Sequence, residues 1–126
     1  MHDLLARAQA LEETLRAWRR HFHRYPELAF REEETARFVA ESMRGFGLRV
    51  RERVGRTGVV GELGEGDPVV ALRADMDALP IQEESELPYT SAVPGVMHAC
   101  GHDAHMAMLL GAARLLVEEP PPRGCV

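Results

Sequence analysis

The sequence has no lysine; all 15 of its basic residues are arginine. That bias reads as genome composition or thermophily rather than as a functional signature. The arginines are spread among 20 acids, for a net charge of −5. No face is left to carry the basic footprint of a nucleic-acid binder. Apolar runs are also short, far below the roughly 20 residues that span a bilayer, so neither nucleic acid nor membrane is an expected partner. The first residues, MHDLLARAQALEETLR, carry acids early and space their apolar positions as a helix does. They do not read as a secretory signal, and a cytoplasmic location is expected. Cysteine is scarce: Cys100 and Cys125 are too few for the disulfide framework of a small secreted domain. Cys100 is therefore free to serve as a ligand or a nucleophile.

What is present suits one ordinary globular domain: 126 residues, 45% apolar and 28% charged, enough to bury a modest core. Leu4, Leu5, Ala8, Leu11, Leu15, Trp18 and Phe22 recur at three- and four-residue spacings, predicting one amphipathic helix over 3–24. Tyr25-Pro26 should end it, because the residue before proline is pushed out of the helical region. A second helix is predicted from Glu32 to about Phe46, with acids in its first turn and glycine stops at 45 and 47. The period then changes to two. LRVRERV, GVVGELG and VVALRAD read as strands, the second and third joined as a hairpin through Gly64–Pro68. Residues 78–96 hold three prolines and no period, so they form a long connection of the kind that often carries function. From Asp103 the helical pattern resumes until the prolines at 120–122, and EEPPPRGCV looks like the unpaired approach to a further strand.

Three constellations could do chemistry. In Cys100-Gly101-His102 a thiol and an imidazole stand two apart, and on an extended segment they face the same side. Such a pair suits zinc, cobalt or nickel, with manganese less obvious. The same residues also read as a buried thiol with a packed histidine, or as a cysteine nucleophile with a histidine base. Asp103 reads equally as the N-cap of the last helix and as an acid that orients or bridges a metal ligand. His98 and His105 flank the pair as candidate outer contacts. In ALRADMDALP, Asp75 and Asp77 end a hydrophobic strand, where α/β sheets place their sites, although turns favour aspartate too. In HFHRYP, His21 and His23 read as helix-end cations facing the dipole.

Four stretches, HFHRYPELAFREEET, GRTGVVGEL, ALRADMDALPIQEESELPYTS and MHACGHDAHMAMLLGAARLL, stand in the order and at the spacing of a known family. They resemble the metal-dependent amidohydrolases that include aminoacylases, hippurate hydrolase, N-acetyl-diaminopimelate deacetylase and the auxin-conjugate hydrolases. The resemblance spans Trp18 to Leu116. It implies an α/β fold: the truncated N-terminal part of a zinc-peptidase-like catalytic domain, with a mixed sheet flanked by helices. Residues 1–126 would be one portion of that domain, without the dimerisation domain through which full-length relatives pair.

By this resemblance Cys100 and His102 match the first two metal ligands, and Asp77 matches the acid that orients a ligand. Asp75 stands where distant relatives have a metal-binding histidine. It joins Asp103, His98 and His105 as a candidate outer or substrate contact rather than a ligand. The implied reaction is hydrolysis of an N-acyl amino acid at two divalent metals (Zn, Mn, Co or Ni), with a glutamate moving the proton of the attacking water. Cys100 is then a ligand, not a nucleophile. The family's Glu-Glu pair and later histidine ligands belong beyond residue 126, and Glu118-Glu119, at a helix end before prolines, do not replace them. The expectation is a fragment inactive alone that can associate with a missing C-terminal half. The alternative is a non-catalytic module that binds metal or a partner. Exposed sheet edge should make the chain marginally stable or association-prone.

Overall fold

The structure, a computed structural model, describes residues 2–126. In chain order the elements are α1 His2–Ala10, α2 Glu12–Arg24, α3 Glu33–Phe46, β1 Arg49–Val54, β2 Gly58–Glu62, β3 Gly64–Glu65, α4 His102–Glu118 and β4 Gly124–Cys125.

The single helix expected over 3–24 is two. It breaks at Leu11, whose N–H reaches back to Ala8 O (3.1 Å), a three-residue step that tightens the turn. Leu11 is buried there, whereas Leu4 and Leu5 of α1 stay exposed. The apolar stripe thus does its packing work mainly in α2. That helix ends at Tyr25, as Pro26 predicts, with the Tyr25 N–H on His21 O. α3 stops at Gly47, whose φ of 97° suits glycine, while its N–H and that of Leu48 cover the carbonyls of Arg44 and Met43. Its start is covered from outside the helix: Glu27 accepts the N–H groups of Glu34 (3.2 Å) and Thr35 (2.6 Å) and the Thr35 hydroxyl.

The strands pair differently from the sequence expectation. β1 and β2 form the antiparallel hairpin, Arg49 opposite Glu62 and Val54 opposite Gly58, with a register irregularity between Arg51 and Val54. The connection over 55–57 is short and glycine-containing, which favours this closure. The hairpin expected between the second and third strands does not form, because the chain's own tail takes the place between them. Gly64 and Glu65 pair antiparallel with Cys125 and Gly124, and Val69 bridges Cys125 in parallel. The ladder is closed by Leu63 N–H on Val126 O (2.8 Å), Val126 N–H on Leu63 O (2.9 Å), Val70 N–H on Cys125 O and Cys125 N–H on Pro68 O (both 3.0 Å). The tail therefore pairs, contrary to the expectation drawn from EEPPPRGCV. Residues 71–75 run beyond that short ladder with no strand beside them among the described residues.

The core lies where α2, α3 and α4 meet. Phe22, Met106 and Leu110 are buried together, with Trp18, Phe38, Val39, Met43, Phe46 and Met76 packed around them. Phe22 stands edge-on to Phe38 (5.2 Å, 80°), a favourable aromatic geometry. Residues 78–96 hold no helix or strand of their own, as expected, yet they are strapped down. Ala78 N–H bonds Glu27 O, Leu79 and Met97 exchange two bonds, and Ala92 N–H bonds Arg24 O at the end of α2. Those bonds satisfy backbone groups that a loose loop would leave to water, and they bring this connection against the start of α4.

Candidate functional site

Gly101 makes the site's local geometry. At φ 120° it takes a backbone that side chains rarely adopt, and it turns the chain from residues 97–100 into α4. His102 becomes the first helical residue. Its Nδ1 lies 2.9 Å from Asp77 O and 3.1 Å from Asp77 Oδ1. Both partners are acceptors, so Nδ1 carries the hydrogen and Nε2 keeps its lone pair. Nε2 is 4.0 Å from Asp75 Oδ2. Asp75 is itself gripped by Arg73 at 3.1 and 2.8 Å. That hydrogen bonding and charge hold its carboxyl below the usual carboxylate range. The His105 ring stands 6.1 Å from that of His102. Cys100, just before the glycine, is exposed.

Of the nine residues singled out from sequence, the structure gathers Asp75, Asp77, His102 and His105 around one edge of α4. Among the described residues there is no group of three or more His, Cys, Asp or Glu side chains close enough to hold a metal ion. His98 is buried beneath this edge, and neither ring nitrogen has a hydrogen-bond partner. Burial pushes its pKa down to about 4, so at neutral pH the ring is uncharged.

Asp103 is not the N-cap: α4 begins at His102 after Gly101, with no side-chain cap bond. Instead its carboxylate is 1% exposed and turned toward α2. Oδ2 accepts Arg19 Nε–H (2.9 Å) and lies 2.8 Å from His23 Nδ1. The other face of the His23 ring meets Glu83, with Nε2 at 2.9 and 3.1 Å from its two oxygens. Glu83 also accepts the Ser91 N–H (2.9 Å) and the Ser85 hydroxyl. Burial works to raise its pKa, but the donors Ser85, Ser91 and His23 together hold it below the ordinary range. Tyr89 closes the outside, edge-on to His23 at 5.6 Å with Arg20 over its ring at 4.8 Å.

This Glu83–His23–Asp103 chain was not foreseen from sequence, where His23 reads as a helix-end cation facing the dipole. Helix position alone gave no other signal, because its partners are 60 and 80 residues away. His21 is also no solvated cation. It stacks on Phe38 at 4.3 Å, and burial lowers its pKa.

Comparison with known proteins rests on the same segments. Residues 71–123, the stretch holding both aspartates and the CGHD loop, match peptidase family M20/M25/M40. The N-acyl-L-amino acid amidohydrolase of Geobacillus stearothermophilus is 56% identical over 101 residues, 79% of this chain and 27% of its own length. Most of the chain thus resembles proteins of the M20 family. A second relative, thermostable carboxypeptidase 1 of Saccharolobus solfataricus, is 55% identical over 103 residues, again 79% of this chain and 26% of that protein. The crystal structure of a Bacillus subtilis protein described as a dinuclear metal binding peptidase of the M20 family superposes with a TM-score of 0.81. It is 43% identical over 87% of this chain and 32% of its own. The chain spans about a quarter of the curated relatives it matches and about a third of the solved one. Among the described residues no helix is long and apolar enough to cross a membrane.

Proposed function

We propose that this chain is the N-terminal portion of the catalytic domain of a metal-dependent N-acyl-L-amino acid amidohydrolase and holds one half of its metal site. The observation that carries the reading is His102, which is pinned through Nδ1–H to Asp77 and free at Nε2. That is how a metal-ligating histidine is oriented by a carboxylate behind it. Cys100, exposed and one glycine away, is the second ligand, and the thiolate–imidazole pair suits zinc, cobalt, nickel or manganese in falling order of softness match. Asp77 positions the ligand. Asp75, His98, Asp103 and His105 sit around it as outer groups. The amidohydrolase name of the Geobacillus relative and the dinuclear metal named for the Bacillus structure support the substrate class and the metal.

Two such metals, when bound, supply a Lewis acid for the amide carbonyl and a water that ionises near neutral pH. This chain's residues hold and orient. Its buried acids Glu32, Glu83 and Asp103 are each committed to hydrogen bonds within the fold, Glu32 with Thr57, Glu83 with His23, Ser85 and Ser91, and Asp103 with Arg19 and His23. The isolated chain is therefore expected to bind one divalent ion weakly and to leave hippurate and N-acetyl amino acids intact. Cobalt titration, followed by the thiolate-to-metal absorption of Cys100, tests the first part: Cys100→Ser abolishes the band and His102→Ala weakens binding. Turnover of hippurate by the pure chain would sink the second.

The slot beside residues 71–75 favours a further reading: the site is completed by a separate or following segment. β4 lies between β3 and Pro68–Val70. A strand continuing in that register runs between β2 and residues 71–75 and arrives beside Asp75 and Asp77. Co-expression with the remaining two-thirds of a relative, read by gel filtration and hippurate turnover, tests this. Separate elution of the two parts without activity rejects it.

A further inference from the structure

His23 lies outside the proposed ligand set, yet it joins the two segments that flank that set. Each of its ring nitrogens faces a carboxylate that is already receiving other hydrogens. Asp103 Oδ2 takes Arg19 Nε–H as well as the ring, and Glu83 takes the Ser91 N–H and the Ser85 hydroxyl as well as the ring. A neutral imidazole can donate from only one nitrogen and would turn a lone pair onto the second carboxylate. The charge count agrees. Side chains of Glu83, His23 and Asp103 are 2%, 4% and 1% exposed, with Arg19 the one cation paired to them among the described residues. A neutral ring leaves one buried negative charge uncompensated, whereas a protonated ring balances the group, and unpaired buried charge is what proteins avoid.

We propose that His23 is a doubly protonated positioning residue that fixes the Cys100–His102 loop by bridging Asp103, next to His102 in sequence, to Glu83 in the long connection. The proposal rests on reading Cys100 and His102 as metal ligands. Through Asp103 it ties the first turn of α4 to α2, next to the His102 ring that meets Asp77. Through Glu83, Ser85 and Ser91 it holds the connection that returns to Met97 and Cys100. Tyr89 stands edge-on to the ring with Arg20 over its own face. Removing the bridge frees both segments at once, which loosens the loop without touching either ligand.

The test uses the whole chain labelled with ¹⁵N. In the wild-type protein at neutral pH both His23 ring nitrogens carry hydrogens, seen as two ring N–H signals. A single ring proton overturns the charged bridge. His23→Gln is then compared with Phe22→Leu, a core change in the same helix that leaves the bridge intact. Positioning predicts that cobalt affinity, read from the Cys100 thiolate absorption, falls about tenfold or more in His23→Gln and stays within about twofold in Phe22→Leu. Equal losses in both variants reduce His23 to general stability and overturn the proposal. If His23→Gln does not fold, Glu83→Gln, which keeps the shape and deletes one charge, takes its place with the same expectation. If the wild-type chain binds no cobalt, the ligand reading fails by itself. Positioning is then judged from the Gly101 and His102 amide signals, which shift in the bridge variant and not in Phe22→Leu; unmoved signals overturn it.

Discussion

His102 and His98 show two opposite fates for a histidine within five residues of sequence. His102 has a partner on one nitrogen and an open lone pair on the other. Its support is concentrated in Asp77, so Asp77→Ala, which leaves only the main-chain oxygen, is expected to weaken cobalt binding roughly tenfold, measured by absorbance titration. His98 has burial without partners. Its folded pKa of about 4 lies below the 6.5 of an ordinary imidazole, so the unfolded chain binds the extra proton first. Stability is therefore full above about pH 6.5 and falls as pH drops toward 4, by roughly 3 kcal/mol across the window. His98→Leu removes both that slope and two unsatisfied polar atoms. A higher urea midpoint at pH 5 is expected, and an unchanged slope between pH 4 and 6.5 refutes the assignment. Glu83 acts in the same direction at lower pH: its depressed pKa stabilises the fold above the ordinary glutamate range and is lost as pH falls through the folded value.

At the scale of elements, α2 carries most of the load. Phe22 fills the junction with α3 and α4, and Phe22→Ala is expected to cost about 3–5 kcal/mol by urea unfolding. The start of α3 depends on Glu27, outside the helix, which covers two of its orphan N–H groups. Glu27→Ala should cost about 1 kcal/mol, the usual scale for a lost cap. α2, α3 and α4 were legible from apolar spacing and from Pro26, Gly47 and Pro120. The break at Leu11 was not, because the stripe runs through it unchanged. Strand existence was readable for LRVRERV and GVVGELG, but their partners were not. Alternation says which residues share a face, and says nothing of which edge the tail at 124–126 will take.

At the scale of the molecule, the outcome is an α/β body with one unfinished flank. Val69, Val70 and Leu72 are 69%, 53% and 51% exposed, on a segment whose backbone beyond residue 70 has no neighbouring strand among the described residues. Exposed apolar strand edge invites pairing. Sedimentation at rising concentration is expected to show self-association of the isolated chain, and charging the edge with Leu72→Glu should suppress it. A strictly monomeric chain across the range would contradict that expectation.

The sequence by itself determined the chemistry on offer and its family. HACGHDAH and RADMD name a thiol, imidazoles and carboxylates at spacings that only local backbone geometry has to satisfy, and local geometry is what residue type controls. The tertiary structure alone decided which of these groups meet. It set Asp77 behind His102, turned Asp103 away from the cap position into α2, and closed His23 between two acids 20 residues apart on different segments. Those meetings depend on how helices pack and on the balance of buried charge, and neither is written in any one stretch of the chain.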